Sequence, residues 1–278
     1  IITAVTTDSR QAAPGTLFVA LKGEHFDGHD FVSQVFEKGA EAALVCGDRV
    51  EAVCKSVPPE HRSKLVAVPD TLEALGQLAA NFRKELSIPV IGVTGSVGKT
   101  STKDFTACAF SPLGNVARTK LNYNNEIGLP LTVLSVEDTD SALIGEMGMR
   151  GLGEIQYLTQ ILKPDIGIIT NIGVSHIENL GSRENILKAK CEIFNHLKPG
   201  GLAVLNGDDA LLRGLDLPFR TVRCGQSSGC DVQITELVDH GVEGITCTVT
   251  TAKDRYALTV PAPGEHMAYS ASMAVAIA

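Results

Sequence analysis

The sequence has no tryptophan, four tyrosines and nine phenylalanines, so aromatic side chains make up only 5% of it. Single-stranded nucleic acid is gripped by aromatic faces set among basic residues. Here acidic residues outnumber basic ones, 32 to 24, for a formal net charge of −8, and nucleic acid is not an expected partner. No apolar run approaches the ~18 residues that cross a bilayer, so membrane insertion is not expected. The N-terminus I-I-T-A-V-T-T-D-S-R lacks the basic region and apolar block of a secretion signal. The seven cysteines are scattered, odd in number and without a C-x-x-C pair. That pattern argues against zinc or a disulfide framework and fits a reduced cytoplasmic protein. Cys191 reads as a small apolar side chain. The sequence also lacks an initiator Met and stops within the helix-like segment Tyr269 to Ala278, so both ends are expected to be cuts in a longer protein.

The segment Ile91 to Asp104, I-G-V-T-G-S-V-G-K-T-S-T-K-D, carries the strongest signal. An apolar, β-branched run ends in glycines, and the residues from Lys99 to Pro112 read as a helix: strand, glycine turn, helix. Backbone N–H groups at a helix N-terminus point at an anion, and Gly95 and Gly98 allow close approach. Lys99 adds a positive charge, and the Thr100 hydroxyl suits a magnesium ion. The spacing is a short variant, T-G-x-x-G-K-T, of the phosphate-loop pattern. An ordinary glycine turn would account for the two glycines but not for Lys-Thr directly after them.

The first 70 residues alternate short apolar runs (Thr16 to Leu21, Ala42 to Val45, Lys64 to Val68) with amphipathic segments, as a small α/β unit does. Thr71 to Leu86 reads as a helix closed by Ser87-Ile-Pro, which sets the expected division at residues 1–84 and 85–278. Beyond it four strands are expected, Ile88 to Val93, Ala142 to Ile144, Ile166 to Ile169 and Leu202 to Leu205, each running into polar residues. In open parallel sheets ligands sit outside the carboxyl ends of the strands, so these ends are expected to line one crevice. From Asp231 three alternating runs separated by turn residues predict an antiparallel appendage.

Glu146, in I-G-E-M-G-M, suits a magnesium ligand at a strand end, or else a capping or salt-bridged glutamate. His176, in T-N-I-G-V-S-H, is either a crevice residue or a structural one. Lys188 and Lys190 project about 200° apart on a helix and cannot share a role, and either could be a solvated surface charge. The run Lys120 to Leu131 places Asn122, Asn124, Asn125 and Glu126 in one loop, and Asn both donates and accepts hydrogen bonds. Thr7-Asp-Ser-Arg10 and Leu21 to His29 form a second polar cluster, read as a second ligand site in the first domain.

Together T-D-S-R, D-G-H-D-F, T-G-S-x-G-K-T, N-x-N-N-E-I-G-L-P-L, E-M-G-M, T-N-I-G-x-x-H and A-K-x-E-I-F resemble the Mur ligases of bacterial cell-wall synthesis over essentially the whole chain. N-N-E-I-G-L-P and E-M-G-M point within that family to the branch that adds D-alanyl-D-alanine to UDP-N-acetylmuramoyl-tripeptide. The resemblance implies ATP-dependent amide formation through an acyl phosphate, two Mg²⁺ ions, a carbamylated lysine and a monomer. It implies a small α/β domain for the UDP-muramoyl-peptide and a central, mostly parallel-sheet phosphate-loop domain, with a third domain beyond the sequence, so these 278 residues are expected to bind without ligating. Thr94, Gly95, Ser96, Gly98, Lys99, Thr100, Ser101, Asn171 and His266 are then expected at the nucleotide. Thr100, Glu146, His176 and Lys190 are expected at metal, the last as a carbamate matching A-K-x-x-I-F. Ser9, Arg10, Asn124, Asn125 and Glu126 are expected at the muramoyl-peptide, and Lys99, His176 and Lys190 are expected to carry the catalysis.

There are departures from the family pattern. Val97 stands where Asn is common, and Gly264-Glu-His-Met267-Ala-Tyr-Ser270 has Met and Ser where G-x-H-N-x-x-N has Asn, which bears on the adenine contacts. A Mur-type ligase adding another amino acid, or a phosphate-loop small-molecule kinase, is the alternative. A kinase has no use for N-N-E-I-G-L-P or A-K-x-x-I-F. A non-catalytic binding module could dispense with Lys99 or Glu146.

Overall fold

A computed structural model describes all residues, 1–278, as two compact units: Ile1–Glu85 with Val133–Ser135, and Leu86–Thr132 with Val136–Ala278. The first unit is a sheet of four parallel strands in chain order, β1 (Ala4–Thr6), β2 (Thr16–Val19), β3 (Ala42–Cys46) and β4 (Leu65–Val68). Helices α1 (Val32–Glu37), α2 (Val50–Ser56) and α3 (Thr71–Glu85) accompany it. Every residue of β2 is buried, as expected of a parallel strand covered on both faces. Phe18, Val32, Val35, Phe36, Val45 and Val53 form its core. The alternation read from the sequence lacks β1 and α2, because Ala-Val-Thr and the seven residues of α2 are too short to register a repeat.

In the same unit His29 is 3% exposed. Its Nδ1 lies 2.5 Å from Asp27 Oδ1, and its Nε2 accepts the Cys46 backbone N–H at 2.8 Å. That amide assigns the tautomer, since Nε2 must be unprotonated to accept it. Asp27 is also paired with Arg49 at 2.8 Å. Burial pushes the Asp27 carboxyl up, but the His29 backbone and ring hydrogen bonds and the Arg49 charge hold it below the ordinary range. The histidine of the expected second ligand cluster is thus a strut between the loop and the end of β3.

The second unit is built on nine strands: β5 (Val90–Thr94), β6 (Asn115–Arg118), β7 (Asp140–Glu146), β8 (Ile166–Ile169), β9 (Leu202–Asn206), β10 (Arg220–Gly225), β11 (Val232–Asp239), β12 (Ile245–Thr250) and β13 (Arg255–Val260). Their order across the sheet is β6-β7-β5-β8-β9-β10-β11-β12-β13. Pairing is parallel from β6 to β11 and antiparallel from β11 to β13. The helices are α4 (Lys99–Phe110), α5 (Gly128–Leu134), α6 (Glu154–Leu162), α7 (Ile177–Leu180), α8 (Arg183–Cys191), α9 (Ala210–Arg213) and α10 (His266–Val275). One core joins Ile91, Ile144, Ile168, Val204, Val249 and Met273 across both parts of the sheet. The antiparallel strands therefore continue the main sheet, through two residue pairs between β10 and β11.

The four expected strands are present, and β6 and β10 join them. β6 buries one residue of four and β10, R-T-V-R-C-G, interrupts its apolar positions with charges, so neither shows as an apolar run. The chain leaves β5 for the edge strand β6, returns as β7 beside β5, and crosses to β8 on the other side. Strand order reverses at β5, and the ends of β5, β7 and β8 open at this switch point.

Candidate functional site

The turn after β5 holds Gly95 at φ +152° and Gly98 at φ +80°. Both values lie where a side chain is strained, and a Cβ on Gly95 would collide with the Thr170 side chain. Gly98 caps α4, so Lys99 is its first residue. Lys99 Nζ folds back onto the Gly95 carbonyl at 2.9 Å. Burial pushes its pKa down, and the Glu146 carboxylate opposes that.

A polar lattice fixes the turn. Asn171, just past β8, receives the N–H groups of Ser96 (3.1 Å, carbonyl) and Val97 (3.1 Å, Oδ1) and donates to the Val97 carbonyl at 3.2 Å. Ser96 Oγ accepts the Gly173 N–H at 2.9 Å. Thr94 is fully buried, its hydroxyl donating to the Met147 carbonyl at 2.9 Å. The side chains of Thr94, Ser96 and Asn171 are therefore engaged in holding the loop. Ser101 is half-buried on α4.

Glu146 ends β7 at 3% exposure. One carboxylate oxygen accepts the Thr100 hydroxyl at 3.0 Å, the other the Asn124 amide at 2.9 Å. The Glu146 backbone N–H donates to Thr119 Oγ1 at 2.9 Å. A hydroxyl and a carboxylate meeting at the phosphate-loop end supply the hard oxygens that magnesium prefers. No three His, Cys, Asp or Glu side chains converge here, so nucleotide oxygens and water would have to complete a shell. The Glu146, Thr100 and Asn124 set fits that requirement.

A cavity of about 340 Å³ brings together Gly95, Lys99, Asn124, Asn125, His176 and Lys190. His176 is exposed, at φ +66°, at the start of α7. α8 is capped by Ser182, whose Oγ accepts the Asn185 N–H at 3.2 Å, and it buries Ile186, Ala189 and Lys190 while Lys188 faces solvent. Lys190 is 2% exposed, and its ammonium has no hydrogen bond or ion pair. Burial first, and the Lys99 charge second, push its pKa down to about 7.

A second cavity of about 280 Å³ opens beyond Gly98, between Asn171, Asn206, His266, Tyr269 and Ser270. Ser270 Oγ accepts the buried Thr102 hydroxyl at 3.1 Å, whereas Met267 packs against the core. Ser thus keeps a polar atom on this wall where the family pattern has Asn, and Met does not. Asn206 and Tyr269 join His266 here without having been singled out. The polar end of β9 was the available sign for Asn206; Tyr269 had none. Glu126 lines a neighbouring cavity. In the first unit, Arg10 pairs with Asp8 at 2.7 Å, holding that carboxyl down at about 2, and the Ser9 carbonyl accepts Lys38 Nζ at 2.8 Å.

Strand, glycine turn and helix at the switch point of a parallel sheet, with Lys99, Thr100 and Glu146 around the turn, define a phosphate-loop α/β protein. Residues 93–278 match the Mur ligase middle domain, and residues 1–83 match the Mur ligase family catalytic domain. The chain belongs to the Mur ligase family. It is 42% identical to the UDP-N-acetylmuramoyl-tripeptide--D-alanyl-D-alanine ligase of Synechocystis, over 99% of this chain and 57% of that protein. Its fold matches the UDP-N-acetylmuramoylalanyl-D-glutamyl-2,6-diaminopimelate--D-alanyl-D-alanyl ligase of Acinetobacter baumannii with a TM-score of 0.85 and 33% identity, over 99% of this chain and 59% of the other. It matches the MurF ligase of Thermotoga maritima in complex with ADP with a TM-score of 0.83 and 27% identity, over 99% and 62%. The chain thus spans somewhat under two thirds of the length of each of these proteins. No helix is long and apolar enough to cross a membrane.

Proposed function

We propose that the chain binds ATP and UDP-N-acetylmuramoyl-tripeptide in an enzyme that joins the tripeptide to D-alanyl-D-alanine. A carboxylate oxygen of the peptide attacks the γ-phosphorus of ATP, the bond to the bridging oxygen breaks, and ADP leaves. The D-alanyl-D-alanine amine then attacks the acyl carbon, the carbon–oxygen bond to phosphate breaks, and the nitrogen gives up a proton. Lys99 meets the charge developing on the transferred phosphoryl group, and a preorganised charge of this kind lowers the barrier most. Thr100 and Glu146 would hold a magnesium ion, which neutralises phosphate charge and polarises the transferred group. Gly98, Asn171 and His266 face the nucleoside side, where Asn206 and Tyr269 join them. Asn124, Asn125 and Glu126 orient the peptide, and in the first unit Ser9 and Arg10 meet the uridine diphosphate.

The observation that carries the reading is Lys190. A kinase or a binding module has no use for a lysine buried without a partner beside Lys99 and His176. A pKa near 7 leaves much of it as neutral amine, the form that adds CO₂ with loss of one proton. The carbamate would be an anionic oxygen donor that, with His176, could hold a second magnesium ion.

The test is phosphate release from ATP. In the full-length enzyme, release that requires the UDP-tripeptide and D-alanyl-D-alanine together is expected, and Lys99→Ala should reduce it about 100-fold or more while the fold persists. Phosphorylation of one small molecule with no amine required would establish the kinase reading. A ¹³C carbamate resonance after addition of labelled bicarbonate, lost in Lys190→Ala and kept in Lys188→Ala, checks the modification.

A further inference from the structure

Lys190 is one of two buried lysines, and the chemistry proposed above leaves the other without a role. Lys103, on α4, is 4% exposed. Its Nζ donates to the Thr119 carbonyl at 3.0 Å, and Asp104 Oδ1 stands off at 3.7 Å, beyond hydrogen-bond length. Withdrawing an ammonium from water for one carbonyl is unfavourable, and an apolar side chain of similar volume would fill the space without that penalty. What the lysine adds is a grip on Thr119, itself 1% exposed. The Thr119 N–H donates to the Ile144 carbonyl at 3.1 Å, and its Oγ1 accepts the Glu146 N–H at 2.9 Å, so this residue clips the end of β7 on both sides of Gly145. Thr100 lies three residues before Lys103, on the same face of α4, and its hydroxyl donates to Glu146 Oε2 at 3.0 Å. These bonds close a ring: α4 through Lys103 to Thr119, Thr119 to the Glu146 backbone, and the Glu146 carboxylate back to α4 through Thr100.

We propose that Lys103 is a positioning residue for the magnesium–nucleotide site, acting through Thr119 to hold α4 and the end of β7 so that Thr100 and Glu146 reach one cation together. The inference rests on the assignment of Thr100 and Glu146 to magnesium made above. A cation there needs a lone pair from the hydroxyl and one from the carboxylate, so the Thr100–Glu146 hydrogen bond gives way when it binds. Lys103 and Thr119 form the side of the ring that stays. The same strut places Asn124. From Thr119 the chain runs through Leu121, at φ +50°, to Asn124, whose amide donates to Glu146 Oε1 at 2.9 Å and whose carbonyl accepts the Gly148 N–H at 2.8 Å. In K-T-S-T-K-D nothing separates Lys103 from a solvated surface charge, and only the fold brings Thr119 to it.

The test is calorimetric titration of the 278-residue chain with ATP, with and without saturating Mg²⁺, and the quantity read is the ratio of the two affinities within each variant. Glu146→Ala sets the floor, the gain that Mg²⁺ carries on the nucleotide alone. Lys103→Met should lower the wild-type ratio about tenfold toward that floor, the size of one charge-assisted hydrogen bond. Thr119→Val, which removes the acceptor of the Glu146 N–H and keeps the carbonyl, should lower it several-fold, and Thr119→Ser, which keeps both, should leave it unchanged. Because the two residues act in series, the double variant Lys103→Met/Thr119→Val should fall by less than the product of the single effects. If Lys103→Met does not fold, Lys103→Gln, with a polar end on a shorter stem, takes its place in the comparison. A general loss of stability lowers both affinities alike and leaves the ratio intact. A lowered denaturation midpoint with a wild-type ratio in the Lys103 variant, or single effects that multiply in the double variant, therefore overturns the inference and leaves the proposed function standing. A wild-type ratio no higher than that of Glu146→Ala overturns the assignment of magnesium to Thr100 and Glu146, and the inference with it.

Discussion

His29 in the small unit and Lys190 in the large one are both buried titratable side chains, 3% and 2% exposed, yet their surroundings differ in kind. Both ring nitrogens of His29 have partners, Asp27 on one side and the Cys46 amide on the other. Lys190 has none and lines the same cavity as a second cation, Lys99. A buried polar group is tolerated when its hydrogen-bonding capacity is met and is costly otherwise. A satisfied one stabilises the fold. An unsatisfied one persists when something outside the folded chain completes it, and perturbed groups of this sort gather at functional sites.

The largest effect should come from removing the unsatisfied partner. In the full-length enzyme Lys190→Ala is expected to reduce ligation about 100-fold or more, with partial rescue by acetate, whose oxygens stand in for those of the carbamate. Lys188→Ala, on the solvent face of α8, should be close to silent. Equal losses in the two variants without rescue would make Lys190 an ordinary packing residue and erase the contrast with His29.

His29→Ala should show the opposite profile. It strands the Cys46 amide, while Asp27 keeps Arg49 and the residue-29 backbone N–H, and leaving a buried polar group unpaired costs about 1–3 kcal/mol. A denaturation midpoint lowered accordingly, with ATP affinity unchanged because the phosphate loop lies in the other unit, is the expected result. A loss of UDP-peptide affinity without loss of stability would return His29 to the ligand role that its sequence context suggested.

The comparison also carries a pH signature. Lys190 has a folded pKa of about 7 against an ordinary value of 10.5, so between those values the unfolded chain binds more protons and stability rises with pH. Below pH 7 both states are protonated and the burial penalty is present in full; above about pH 10.5 it is gone. Wild type should therefore gain roughly 2 kcal/mol relative to Lys190→Met between pH 7 and pH 9. Parallel stability profiles would mean that the ammonium finds solvent or a counter-charge.

Much of this was legible in the sequence where chemistry is local. Gly95, Gly98, Lys99 and Thr100 announce a phosphate loop because glycine, charge and hydroxyl follow one another along a single turn. The strand ends Glu146 and Asn171 were legible because a buried apolar run that stops at a polar residue has a reason to stop. Lys190 was singled out only by the family resemblance of A-K-x-x-I-F, and His29 only as part of a polar cluster; which of the two is satisfied was beyond reach, because only the packing of residues far apart in the chain shows it. Tyr269 escaped for the same reason, whereas β6 and β10 escaped because their residues lie at the sheet edge or carry charges between apolar positions.

The smallest effect is expected at Asp209, which joins the loop to the sheet through one carboxylate. Its Oδ1 accepts the N–H groups of Leu211 at 2.9 Å and Leu212 at 3.2 Å, capping α9, while Oδ2 accepts the Ile172 N–H at 2.8 Å. Ile172 follows Asn171, which grips the Ser96 and Val97 backbone, and precedes Gly173, which donates to Ser96 Oγ. Asp209 is thus two hydrogen bonds removed from the phosphate loop. Asn caps a helix as well as Asp does, but its NH₂ cannot accept from Ile172, so Asp209→Asn keeps one contact and loses the other. We expect a cost of about 1 kcal/mol in stability and a several-fold weaker ATP affinity with little change in maximal rate, because the loop would be misplaced before ATP binds rather than during the reaction. Asp209→Ala loses the cap as well and should fall about another 1 kcal/mol. If Asp209→Asn lowers stability by that amount and leaves ATP affinity where it was, the loop is held by Asn171 and Ser96 alone, and the carboxylate belongs with His29 among the groups that only build the fold.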